Sequence, residues 1–231
     1  MNLKLTSFAI FLAFSMPCFA GKQASVDLLK ATSYESIVST NDQTPRFTFH
    51  APKGLNASHY LGGLVGVFMH AKAAERGSMV ISEYKLTDPA IDIAEDLAGL
   101  LGERMNLTPD FVGSGLSSSV SATHFTLRSA KDLSEEYGPR KLVVNVGTLM
   151  WTMQGVGDSG FRIMYSAKAH LVDTSERAVL ASAECTFPLK RKNSARQAAT
   201  MFNNGAESLK AELKEIVDYC ANKLKTEMFA P

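Results

Sequence analysis

The most regular stretch of the chain is FRIMYSAKAHLV, residues 161–172. Phe161, Ile163, Tyr165, Ala167, Ala169 and Leu171 share one parity, and Arg162, Ser166, Lys168 and His170 the other. This period of two predicts an antiparallel strand with one buried and one wet side. Residues 141–153 (KLVVNVGTLMWTM) and 179–187 (VLASAECTF) read as its two neighbours, joined to it by hairpin connections at 154–160 and 173–177. In the last of these strands Val179, Ala181, Ala183, Cys185 and Phe187 fall on one side, taken as the core side.

Elsewhere the period lengthens. Ile91, Ile93, Ala94, Leu97, Leu100 and Leu101 recur at helical spacing behind Asp88, a good N-cap, and Pro89, which suits the first helical position, so a helix is predicted to about residue 105. Asp92, Glu95 and Asp96 lie in its first half, where the helix dipole favours acids, and read as a solvated face. A second stripe, Ala206, Leu209, Leu213, Ile216, Val217, Cys220 and Leu224, predicts one or two helices over 195–228. The RFTFH of 46–50 alternates as a short strand, Arg76-Gly77-Ser78 reads as a turn, 106–121 as a serine-rich connection, and 21–44 as a polar approach segment. The expected fold is α+β: an antiparallel, or mixed, sheet of four to five strands with helices packed on one face, forming a single domain over 45–231.

Residues 1–20, MNLKLTSFAIFLAFSMPCFA, follow a different logic. Lys4, an apolar stretch and the small residue Ala20 are in the order of a secretory signal, and the apolar stretch is too short to span a bilayer. The expected mature chain begins at Gly21 and is exported to the periplasm. Cys18 as a lipid-accepting cysteine is the less favoured alternative, because Pro17 occupies a place where a small residue is expected. No later segment is long and apolar enough for a transmembrane helix.

Cleavage changes the composition in two informative ways. The full chain carries 24 Lys and Arg against 23 Asp and Glu; losing Lys4 makes the balance even, which excludes the basic excess of a dedicated nucleic-acid binder. Of three cysteines only Cys185 and Cys220 remain, and an even pair in an oxidising compartment points to a disulfide. Both fall on apolar stripes, so the bridge would tie the C-terminal helix to the last strand.

The chemistry-bearing motifs are few. Gly157-Asp158-Ser159-Gly160 matches the core of a serine-protease nucleophile motif, with His124 or His170 as candidate bases, but Phe161 replaces the second glycine and the chain between His124 and Ser159 is too short for that fold. A hairpin turn explains the motif better; a hydrolase using Ser159 is kept as an alternative function. His50, His59, His70, His124 and His170 show no metal-ligand spacing, and no phosphate-binding loop is present, so neither metal nor cofactor is expected. Residues 60–80 embed Gly62, Gly63 and Gly66 among large apolar residues; the Gly62/Gly66 spacing allows close backbone approach and is read first as an apolar helix or loop packed closely on a sheet, with contact of 61–69 with a membrane or a second copy as the alternative. Lys190-Arg191-Lys192 reads as a solvated loop.

A Gly-rich apolar segment, a Pro-started amphipathic helix, a meander whose turn runs from Leu171-Val172-Asp173 to Val179-Leu180, and a cysteine-bearing final helix together resemble small bacterial envelope proteins and lipoproteins of uncharacterised function. The resemblance implies a non-enzymatic binding, assembly or transport-accessory role with an envelope protein or lipid component as partner, and carries over no catalytic residue. The candidate contact surfaces are the outer face of the sheet and the Gly-rich segment, with Gly62, Gly63, Gly66, Trp151 and Met153 as candidate residues and Met150 and Met164 near them.

Overall fold

The computed structural model describes residues 24–25, 29, 32–42, 47–50, 73–112, 127–157, 160–188 and 196–230. The fold is built on a long hairpin, β5 (Lys141–Val156) and β6 (Gly160–Asp173), continued antiparallel by β7 (Ala178–Thr186). On the other side of β5 the sheet turns parallel. There β2 (Ser36–Asp42) pairs with β5 over seven residues, β3 (Thr48–His50) pairs with its far end, and β4 (Pro109–Phe111) flanks β2. With β8 (Arg196–Gln197) on β6, the sheet has seven strands in the central order β4-β2-β5-β6-β7. It is therefore mixed and larger than the four to five strands expected.

The predicted alternation in β6 is observed: Phe161, Ile163, Tyr165, Ala167, Ala169 and Leu171 are buried in the main core. That inner face is covered by α1 (Ala73–Tyr84), α2 (Pro89–Met105) and α4 (Ala198–Met228). Helix α2 starts as its sequence predicts, with Asp88 accepting from the Ala90 amide at 2.9 Å and Pro89 inside the first turn. It stops at Asn106, which takes a left-handed conformation, and a Cβ on Gly102 would run into the Leu107 carbonyl and the Pro109 ring. Helix α4 is interrupted at Asn203–Ala206, where Asn204, Gly205 and Ala206 all have positive φ.

Cys185 on β7 and Cys220 on α4 form a disulfide, with Cα atoms 5.5 Å apart. Both residues are fully buried, so the bridge clamps the last long helix onto the antiparallel edge of the sheet.

Four sequence expectations are corrected. Helices do not all pack on one face: α3 (Ala130–Tyr137), which no periodicity announced, covers the opposite face by setting Leu133 against Val38, Val143 and Val172. Val179 joins that opposite cluster because the β6–β7 register shifts between Leu171 and Val172. Arg76, Gly77 and Ser78 are not a turn but lie inside α1, where a Cβ on Gly77 would collide with the Phe47 carbonyl; the glycine marks a close helix-to-strand approach. The stretch 21–44 carries β2, a strand interior to the sheet, and β1 (Ala24–Ser25), which pairs in parallel with β9 (Phe229–Ala230). Ahead of β2, buried Tyr34 donates its hydroxyl to Asp173 at 2.8 Å, and burial together with that carboxylate pushes its pKa up to about 12.

The outer face of the sheet as candidate binding surface

The pleat that buries one set of side chains displays the other. On β6, Arg162, Met164, Lys168 and His170 are half-buried on the outer face, while on β7 Glu184 and Thr186 are exposed. Met150 stands opposite Ser166, Thr152 opposite Met164, and Gln154 opposite Arg162. Neighbouring β3 adds Thr48 beside Thr152 and exposed His50 beside Gln154. The result is a surface of short polar side chains, paired charges and two methionines spread across β3, β5, β6 and β7.

Several of these residues are fastened to one another. Thr48 and Thr152 share a hydroxyl hydrogen bond of 2.8 Å, Arg162 donates to Gln154 Oε1 at 2.9 Å, and Lys168 pairs with Glu184 at 2.8 Å. Cross-strand pairs of this kind hold a sheet surface in one arrangement, and exposed ones contribute only a few tenths of a kcal/mol up to about 1 kcal/mol each. What they supply is a preorganised, adaptable face, since methionine side chains conform to varied partners.

Towards α3 the face closes over a buried polar network. The Arg128 side chain and backbone amide donate to Asp42 at 2.5 and 2.7 Å, while its remaining nitrogens reach Glu136 at 2.6 Å and Thr40 at 2.7 Å. Asn145 Nδ2 adds a third donor to Asp42 at 3.0 Å. Burial opposes the Arg128 charge, but the hydrogen bond and charge of Asp42, with smaller contributions from Tyr137 and Glu136, raise the guanidinium pKa on balance. The network joins β2, β5 and α3, and explains how β2 can bury Thr40, Asn41 and Asp42.

The predicted contact residues divide. Trp151 and Met153 are buried in the main core, Trp151 with its ring 4.8 Å from that of Phe47, so neither can form part of an exposed surface. The cause is a β-bulge in β5: the register with β6 shifts between Thr148 and Met150, so Leu142, Val144 and Val146 point inward before it and Trp151 and Met153 after it. The same shift puts Met150 on the outer face. Gly62, Gly63 and Gly66, Cys18, Ser159 and His124 lie outside the described residues. His170 is placed, and it is no partner for the hairpin: ten residues separate it from Gly160 along β6, about 33 Å of strand. Among the described residues no group of three or more His, Cys, Asp or Glu could hold a metal ion, and no helix is long and apolar enough to cross a membrane.

The class defined by these observations is a disulfide-stapled α+β domain whose mixed sheet is sealed by helices on one face and partly open on the other. No family model matches the chain, and no curated protein matches it. Among solved structures it is similar to a PelC dodecamer from Paraburkholderia phytofirmans, at 12% identity over 85% of this chain and 88% of that chain, with a TM-score of 0.34. It is similar also to lipoprotein GNA1162 from Neisseria meningitidis, at 14% identity over 78% of this chain and 99% of that chain, with a TM-score of 0.24. Likenesses this distant carry no argument about what the chain does.

Proposed function

We propose that this chain is an exported, non-enzymatic protein of the bacterial envelope that binds another envelope component through the outer face of its sheet. The observation that carries the reading is the asymmetry of β5 and β6: every inner position from Phe161 to Leu171 is sealed under helices, while Arg162, Met164, Lys168, Met150 and Thr152 remain accessible opposite them. The disulfide and the secretory-type leader at 1–20 support export to an oxidising compartment.

A photo-crosslinking side chain introduced at Met164 or Thr152, with exposed Glu207 on α4 as control, tests the proposal in cells. The expected result is a discrete adduct of the exported protein from the two sheet positions and none from Glu207. Adducts from Glu207 alone would overturn the assignment of the surface, and retention of the whole pool in the cytoplasm would overturn export.

A further inference from the structure

The hairpin end of β5 and β6 gathers three stretches of chain. Strand β3 runs parallel to β5 and stops at His50, opposite Gln154, while β8 lies on the start of β6 with Arg196 opposite Phe161 and Gln197 opposite Gly160. Phe187 donates its amide to the Tyr165 carbonyl at 2.9 Å, so the connection that carries Lys190, Arg191 and Lys192 starts and ends beside residues 161–165 of β6. Lys192 is four residues from Arg196, at most about 14 Å, and Lys53 is three residues from His50, at most about 11 Å.

Charge follows this convergence. The stretches 48–53, 154–162 and 188–197 hold six Lys and Arg against the single acid Asp158, in a chain whose total is only +1. Among the described residues of the outer face no carboxylate stands near Arg162. Its Nε and Nη2 both donate to one neutral acceptor, Gln154 Oε1, at 3.3 and 2.9 Å, and its Nη1 has no partner among the described residues. The outer-face carboxylates Asp42 and Glu184 stand in the row of Gly147 and Lys168, where each has its own cation, Arg128 and Lys168 respectively. That row is six residues along β6 from Arg162, about 20 Å, whereas charges are screened over about 8 Å at physiological salt.

We propose that the hairpin end of the sheet docks on a membrane leaflet rich in anionic phospholipid, its phosphate headgroups drawn to the cations of these three stretches. A cluster of about four to eight Lys and Arg is the charge such a leaflet attracts, each cation raising affinity roughly fivefold. One sign of charge spread over converging stretches suits a continuous anionic plane. An acidic protein surface fits less well, because three of the six cations are lysines, which protein interfaces deplete. The contact lies towards the hairpin from Met164 and Thr152, so it can form beside a partner held on the outer face.

Co-sedimentation of the mature protein, residues 21–231, with vesicles of phosphatidylglycerol and phosphatidylcholine in equal parts, and with vesicles of phosphatidylcholine alone, tests the docking. Binding to the anionic vesicles only is expected, weakened by added salt, with a loss of about a hundredfold in the triple variant Lys190→Gln, Arg191→Gln, Lys192→Gln and about fivefold in Arg162→Gln. The triple variant Lys210→Gln, Lys214→Gln, Lys223→Gln removes equal charge from α4 and should bind as the parent does, with thermal unfolding of each variant separating binding from folding. Equal binding to both vesicle types, no binding to the anionic ones, undiminished binding by the first triple variant, or equal losses in the two triples would each overturn the assignment. Binding of soluble polyglutamate without vesicle binding would overturn it in favour of an acidic protein segment. Photo-adducts from Met164 and Thr152 do not depend on any of these outcomes, so the outer-face reading stands or falls separately.

Discussion

Asn145 and His170 face each other across β5 and β6, and each buries a polar atom, Oδ1 and Nδ1 respectively, that has no hydrogen-bond partner. Two such atoms side by side set a limit on what charge this part of the sheet tolerates. Burial, and then Lys168, lower the pKa of His170, against smaller opposing effects of Asp42 and Glu184.

The sign of the resulting pH dependence follows. Above about pH 6.5 His170 is neutral in folded and unfolded chains alike; below it the unfolded chain takes up a proton that the folded one resists. Stability therefore falls as pH drops from about 6.5 towards the lowered folded value. Thermal unfolding followed across this range shows the decline, and His170→Gln reduces it; an unchanged profile in that variant would assign the effect elsewhere.

Arg128 and Asp42 form the pair on which the polar interior of β2 depends, with side-chain exposures of 10% and 2%. Arg128→Met leaves the Asp42 charge buried and costs about 3–5 kcal/mol in urea unfolding. The double variant Arg128→Met, Asp42→Asn removes the stranded charge as well and recovers part of the loss. If the double variant is no better than the single, the damage lies in packing and not in the unpaired carboxylate.

The disulfide closes a loop with a sequence separation of 35 residues. Replacing both Cys185 and Cys220 by serine is expected to lower stability by about 3–4 kcal/mol in the chain-entropy picture. Intact-mass measurement after alkylation without reductant gives the complementary test, since the exported protein should take up no label at either position.

Gly99 and Gly205 separate backbone from packing. An added Cβ has nothing within 4 Å at either position, but Gly205 has φ +70° and Gly99 lies inside α2. Gly205→Ala should therefore cost about 1 kcal/mol from its left-handed conformation alone, whereas Gly99→Ala should gain about 0.5–1 kcal/mol from helix propensity. Opposite shifts in the unfolding midpoint verify the break in α4; equal ones would contradict it.

The strands and helices legible from sequence are those in which polarity alone decides the side a residue takes. β6 alternates without interruption, and α2 carries both its cap and its stripe. β2 stayed hidden because Ser39, Thr40, Asn41 and Asp42 are buried, a condition made possible by Arg128 and Asn145 from distant parts of the chain. The inward parity of Leu142, Val144 and Val146 does not carry on to Trp151 and Met153, nor that of Ala181, Ala183 and Cys185 back to Val179, because a register shift intervenes in each strand and a one-residue shift reverses every side-chain assignment past it. The outer sheet face was legible as the wet side of β6, but its connection to α3 was not, since that eight-residue helix is held by a capping box at Ser129 and Asp132 and by a small contact cluster.

The parallel pairing of Ala24 with Phe229 and Ser25 with Ala230 makes the two ends of the folded body neighbours. Ala24 is four residues on from Ala20, a reach of at most about 14 Å, so anything attached ahead of the fold and anything fused behind Ala230 would sit at the same pole of the molecule. The order of the chain is for the same reason open to circular rearrangement: a linker of a few residues can join the ends, with new termini opened at the Ser175–Glu176 turn between β6 and β7.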